Sequence, residues 1–215
     1  MTSVPDEQWL IEQRPQPIQK LLREWPPGYG GVERVAHELA MVWGGAVWSL
    51  DAQGSSLSEQ DAIAAHYPRR RLARTPPLGR LVLPLPSAQL WSLLRSHQPL
   101  HGHLPSIGVL LVLLFARLVR PRRRVTAHWH FFFEPASGFK GRFFGVYQWL
   151  ALRVVSWLSG VITTSPLLQK ELVRCGCRPE RVAVLPCCLS HDQEAAALVA
   201  THASAQMQDN PACLL

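Results

Sequence analysis

The residue types best able to do chemistry fall in three short stretches. The first is Pro26-Pro27-Gly28-Tyr29-Gly30-Gly31, which runs straight into a helical pattern beginning near Val32. Glycines let backbone N–H groups come close to a ligand, and a helix start presents the positive end of its dipole. Together they make a phosphate-binding corner, although a tight structural turn uses the same residues. The spacing is neither the dinucleotide fingerprint nor the P-loop. The second stretch is Ala127-His128-Trp129-His130, at the end of a strand pattern. In a parallel sheet the carboxyl ends of strands face the ligand crevice, where an imidazole can donate to a sugar hydroxyl or a phosphate oxygen. His128 and His130 share a strand face, and Glu134 would add a carboxylate for a metal. Nothing that would orient such ligands is visible, so no metal is expected. The third stretch, Pro99 to Pro105, carries His101 and His103 close after His97. It sits before an apolar helix and reads as a histidine-rich loop at another strand end.

The remaining reactive types are less pointed. Cys175/Cys177 and Cys187/Cys188 are too close in pairs for the usual zinc spacing and read as structural thiols. Two arginine runs, Arg69-Arg70-Arg71 with Arg74 and Arg120 with Arg122-Arg123-Arg124, lie in expected loops. Guanidinium forks suit phosphate and carboxylate. No DNA- or RNA-reading motif accompanies them, so nucleic acid is not an expected partner.

Charge is unevenly placed. The net +7 arises because eleven arginines and no acidic residue lie between Asp61 and Glu134. The rest of the chain holds eleven Lys and Arg against fifteen Asp and Glu. A solvated basic face and a surface for phosphates, anionic lipid or an anionic acceptor both fit this segment. The most apolar run, Ile107 to Phe115, is far shorter than the roughly 20 residues that span a bilayer. Met1 to Glu12 is polar, with no secretory pattern. Five cysteines, an odd number, favour reduced thiols. The expected location is the cytoplasm, with peripheral attachment to the inner face of the membrane as a variant.

The elements that must position these groups alternate between strand and helix. Strand patterns cover 18–23, 46–50, 80–85, 124–130, 160–164 and 181–185. Helical patterns cover Val32 to Trp43, Ser87 to Arg95, Ser106 to about Arg120, Phe143 to Leu158 and Ser165 to Gly176. Ser165-Pro166 is a strong helix start. The helix after Ser106 is apolar on all faces, as for a buried helix. Strands separated by helices mean an α/β, Rossmann-like parallel sheet with helices on both faces. Residues 1–17 read as a loose arm, 18–190 as the domain and 191–215 as a weakly structured tail.

Several of these segments resemble glycosyltransferase family 4 in the family's order. Gly30-Gly31-Val32-Glu33 is similar to its Gly-Gly-Val-Glu opening, and Val125-Thr126-Ala127-His128 to its strand ending in histidine. Val161 to Pro166 looks like its later strand and serine-capped helix, and Arg181 to Pro186 like the lead into its interdomain linker. The resemblance implies the N-terminal, acceptor-side half of a two-domain GT-B enzyme. It further implies that Gly30 and Gly31 lie under the donor diphosphate and that His128 faces the transferred sugar. His130, His103 and Glu134 are further candidates for substrate contact. No cofactor is implied beyond a nucleotide-sugar co-substrate, and the acceptor would be a glycan or lipid-linked. Only 25 residues follow Ser190, too few for a donor-binding domain. The expectation is therefore a truncated or split hexosyltransferase, nearly inactive alone and completed by a partner chain. The alternative is a non-catalytic acceptor- or membrane-docking subunit.

Overall fold

The computed structural model describes residues 16–25, 30–51, 66–78, 81–133 and 137–186. Most of the expected N-terminal arm, the expected tail and Glu134 lie outside them. The chain divides into two units, Met1–Leu185 and Pro186–Leu215; the elements below belong to the first.

Seven strands form one parallel sheet: β1 Gln19–Leu22, β2 Val47–Ser49, β3 Arg69–Arg71, β4 Leu100–Leu104, β5 Val125–Trp129, β6 Gly160–Thr163 and β7 Val182–Val184. Their order across the sheet is β3-β2-β1-β4-β5-β6-β7, so the direction of winding reverses between β1 and β4. Among the described residues five helices accompany them: α1 Gly31–Trp43, α2 Ala88–Arg95, α3 Ile107–Val119, α4 Gly138–Trp157 and α5 Pro166–Arg174. Among the described residues no helix is long and apolar enough to cross a membrane.

Local sequence accounts for the helix starts. The Ser87, Ser106 and Ser165 hydroxyls accept from the backbone N–H of Leu90, Val109 and Leu168. Each satisfies a donor left over in the first turn. Period-two alternation then sorts the strand side chains. Leu21, Leu100, Leu104, Val125, Ala127 and Trp129 enter the larger core, with Val109, Leu113, Ala151 and Val155 of α3 and α4. Gly102 lets α3 settle close, since a Cβ there would come within 2.7 Å of the Leu113 side chain. On the other face Leu22 and Val47 pack with Ala36 and Ala40 of α1. Helices therefore cover both faces of the sheet.

Four expectations change. Of the expected strand at 80–85, the described residues 81–85 do not join the sheet. Pro84 and Pro86 remove ladder donors, and the segment folds back on 73–78 through Leu83–Thr75 and Leu85–Ala73 backbone bonds. The fourth strand is instead Leu100–Leu104, all five residues buried, where a polar loop was expected. The arginine triplet 69–71 is edge strand β3, not loop. There Arg71 pairs with Asp51 at 3.0 Å, and Arg70 lies over the Trp48 ring at 5.1 Å. Arg123, from the second basic run, is buried. It donates to the carbonyls of Gln98 and Leu93, each at 2.7 Å, and to Gln19 Oε1. Burial lowers its pKa to about 10, with Arg120 adding to the shift. α3 also departs from the fully buried reading, since Phe115, Leu118 and Val119 are exposed.

Candidate functional site

A crevice of about 380 Å³ opens at the winding reversal, over the carboxyl ends of β1 and β4. Loops leaving those two strands depart in opposite directions, which leaves a gap for a ligand. One wall is Arg23 with Gly30, Gly31, Val32 and Glu33, from the end of β1 and the first turn of α1. Gly30 is extended, with no side-chain cap over the helix start. The first turn of α1, with no capping side chain at Gly30, thus borders the crevice beside one guanidinium. Arg23 is itself held by Glu24 at 2.9 Å. Burial raises the Glu33 pKa, with a hydrogen bond from its own backbone N–H opposing the shift, and its carboxylate lies close to Gly30.

The opposite wall is His103 with Leu104, Pro105 and Ser106 at the end of β4. An aromatic side completes it: Phe131 and Phe133 after β5, and Phe143, Phe144 and Tyr147 from α4. Phe133 stacks on Phe144 with centroids 4.8 Å apart. Burial pushes the Tyr147 phenol above its ordinary pKa, so it remains a neutral hydroxyl.

Behind His103 lies a polar layer inside the sheet. Register places Lys20 of β1 beside His101 of β4 and Thr126 of β5, and His103 beside His128. All five share the face opposite α3, by strand alternation. Lys20 donates to the Gly44 carbonyl, and burial lowers its pKa to about 8. His101 Nδ1 bonds Thr126 Oγ1 at 2.8 Å, and His103 Nδ1 bonds His130 Nε2 at 3.0 Å. His128 has no exposed surface, and neither of its ring nitrogens has a partner. His130 stacks on it at 4.2 Å. Burial holds His128 at about 4, and burial with the nearby His128 holds His130 at about 3. Burial puts His101 and His103 well below 6.5 as well, reinforced by neighbouring histidines and Lys20. At neutral pH the layer is therefore uncharged at every imidazole.

Of the residues singled out in the sequence, Gly30, Gly31 and His103 line the crevice, while His128 lies one strand further in. His130 touches His103 from just past β5. The Gly-rich turn is described only from Gly30. Nitrogens of His103, His128 and His130 lie within 4.8 Å of one another, close enough for one ion. Their planes, however, are tilted by only 9° to 22°. A metal sits in the plane of each imidazole that binds it, so near-parallel stacked rings would have to swing apart first. Arg23 and the aromatic side escaped the sequence reading; the Phe131-Phe132-Phe133 run straight after His130 was the available signal. Cys177 is buried with its thiol pushed up to about 11, which leaves it protonated.

Comparison with known proteins bears on the fold and the family. No curated protein matches the chain in sequence. The solved structures of Anabaena HepE superpose well. The complex with UDP and glucose has a TM-score of 0.59 at 18% identity, covering 81% of this chain and 45% of that one. The complex with UDP-glucose has a TM-score of 0.55 at 19% identity, covering 80% and 44%. The chain thus spans less than half the length of that protein. At such identity the likeness speaks for the fold, one half of a GT-B enzyme. The sequence profile of Glycosyltransferase Family 4 matches residues 29–193, and the chain belongs to that family.

Proposed function

We propose that this domain forms the acceptor-side half of an enzyme that transfers a hexosyl group from a nucleotide-sugar to a glycan or lipid-linked acceptor. The observation that carries the reading is the crevice at the winding reversal. There the uncapped first turn of α1 and Arg23 face His103 across a space lined by aromatic rings. The N–H groups of Gly31 and Val32 would hold the donor diphosphate together with Arg23. His103 is neutral, and its Nε2 has no partner in the protein. That nitrogen is enclosed in this structure, and a turn of the ring toward the crevice would let it donate to the transferred sugar or the diphosphate. His130 fixes the His103 ring through Nδ1, and His128 supports both rings from behind as a positioning residue. The aromatic side would hold the acceptor, since sugar C–H faces and acyl or prenyl chains both suit aromatic rings.

HepE structures contain UDP, and the same donor class is proposed here. Interactions from the other half of a GT-B enzyme are needed to stabilise a transition state. Turnover by this chain alone is therefore expected to be very low, with a partner chain or further domain supplying the rest. A titration of isotope-labelled chain with UDP and with inorganic pyrophosphate tests the site. Amide shifts centred on Gly30 to Glu33 and on His103 are expected for both. Absence of shifts there at millimolar ligand removes the donor-site reading.

A further inference from the structure

We propose that the outer face of α4, continued by the end of α3, is a docking surface for an anionic lipid bilayer. Docking does not depend on sugar transfer; only the consequence drawn last for the acceptor rests on that reading.

Residues Arg142, Val146, Trp149, Leu150, Arg153 and Trp157 follow the spacing that keeps one side of a helix in line. Tyr147, Ala151, Leu152 and Val155 on the other side are buried in the core. Val146, Trp149, Leu150 and Trp157 are between 44% and 59% exposed. Two tryptophans and two aliphatic side chains on one outward stripe form a patch of the kind that marks an interaction site. The patch does not stop at α4. The Arg117 guanidinium of α3 lies 5.7 Å from the Trp157 ring, and Phe115 and Leu118 of α3 are exposed as well.

Charge identifies the occupant. Between residues 62 and 170 the sequence contains fifteen Lys and Arg and a single acidic residue, Glu134. Neither α3 nor α4 contains Asp or Glu, so no carboxylate of these helices offsets Arg142 and Arg153, while Arg117 donates to the carbonyls of Pro121 and Arg123. Arg153 lies over the Trp149 ring at 5.4 Å, which keeps the cation beside the apolar surface. Tryptophan rings with arginine tips on a helix lying flat are the chemistry of the bilayer interface: rings enter the headgroup boundary and guanidinium groups pair with lipid phosphates. A protein partner of ordinary composition would supply carboxylates at a few points; a bilayer supplies a continuous plane of anions.

Phe143 and Phe144, at the start of α4, are exposed and also line the crevice. Docking through α4 therefore brings the crevice mouth to the membrane surface. On the sugar-transfer reading, the acceptor is then a lipid-linked molecule entering along the aromatic side.

Co-sedimentation of the full chain with vesicles of phosphatidylcholine alone, and of phosphatidylcholine mixed with phosphatidylglycerol, tests the docking face. Binding should appear with the anionic vesicles and weaken at high salt. Arg142→Glu with Arg153→Glu should lower partitioning about tenfold or more. Trp149→Glu with Leu150→Glu should abolish it, with an unchanged circular dichroism spectrum. Arg178→Glu, the same charge reversal at another exposed site, should have little effect. Brominated lipid should quench wild-type tryptophan fluorescence, and Trp149→Phe should lose a measurable part of that quenching. No sedimentation of the wild type, equal binding to neutral vesicles, or equal loss in Arg178→Glu overturns the proposal. A dimer that dissociates in the Trp149→Glu, Leu150→Glu variant without any lipid binding would assign the face to a second copy instead.

Discussion

Acidification should weaken this domain through the imidazoles behind the crevice, and the size of the effect follows from their burial. His128 is held at about 4 and His130 at about 3, against 6.5 in an open chain. The native state therefore binds no proton at these sites while the unfolded chain does, so stability falls as pH is lowered below about 6.5. Between about pH 7 and pH 5 the unfolded chain gains a factor of about 25 per such histidine, or about 1.9 kcal/mol. The pair together contributes about 4 kcal/mol, a large share of the roughly 5–15 kcal/mol of an ordinary domain. His101 and His103 act in the same direction. So does His37, whose pKa burial also lowers; the wild-type total is therefore not diagnostic.

The informative comparison is with His128→Leu. Leucine does not titrate, and it removes two buried nitrogens that have no partner. Each such group costs about 1–3 kcal/mol, so the variant should lose no stability at neutral pH. Urea unfolding followed by circular dichroism at the two pH values measures both chains. The pH-dependent loss should be smaller by about 1.9 kcal/mol in His128→Leu. An equal loss in both chains would show that His128 is protonated in the native state at pH 5 and refute the argument.

Substitutions at three further positions separate packing from ligand contact. Gly108→Ala should cost about 1–3 kcal/mol in urea unfolding, because its Cβ would sit 2.3 Å from the Val82 carbonyl oxygen. Gly31→Ala should leave the melting temperature unchanged, since a Cβ there meets nothing within 4 Å, yet weaken UDP binding several-fold by crowding the first-turn N–H groups. Arg123→Met should cost about 2–4 kcal/mol in the same unfolding assay, because it strands the carbonyls of Leu93 and Gln98 in the interior. Arg123→Lys should recover only part of that loss, lacking the fork that reaches both.

Much of the architecture was legible because local chemistry and tertiary packing agree. Ser165-Pro166 starts α5, and the apolar run after Ser106 builds α3, with boundaries within a residue or two of those read from the pattern. The family resemblance along the chain rested on segments that the fold keeps: the Gly30-Gly31 helix start, β5, β6 and β7. Legibility failed where a strand's polar side faces inward. Leu100-His101-Gly102-His103-Leu104 alternates as a half-buried strand should, but alternation normally puts the polar residues in water. Here they form an internal layer with Lys20 and Thr126, and the segment read as a loop. The basic triplet of β3 failed for the converse reason. An edge strand can carry charges along its length, and aromatic faces at Trp48, Trp25 and Tyr67 receive the arginines.

The placement of the imidazoles shows why sequence order could not rank them. Both β4 and β5 have a histidine as their penultimate residue on the same sheet face, His103 and His128, and register sets them side by side. Which one meets a ligand depends on where the sheet reverses its winding, a property of strand order rather than of either strand. Because β1 neighbours β4, the gap between departing loops opens over β4, and His103 on that strand lines it. The β5 ring stands one strand further in, its centroid 5.4 Å from that of His103, and reaches the crevice only through contact with His103 and His130. Substituting His103 should therefore change ligand contact directly. Substituting His128 should act through ring position, with Asn retaining more function than Ala if support and not proton transfer is its task. Equal loss in His128→Asn and His128→Ala, with His103→Ala harmless, would invert that order.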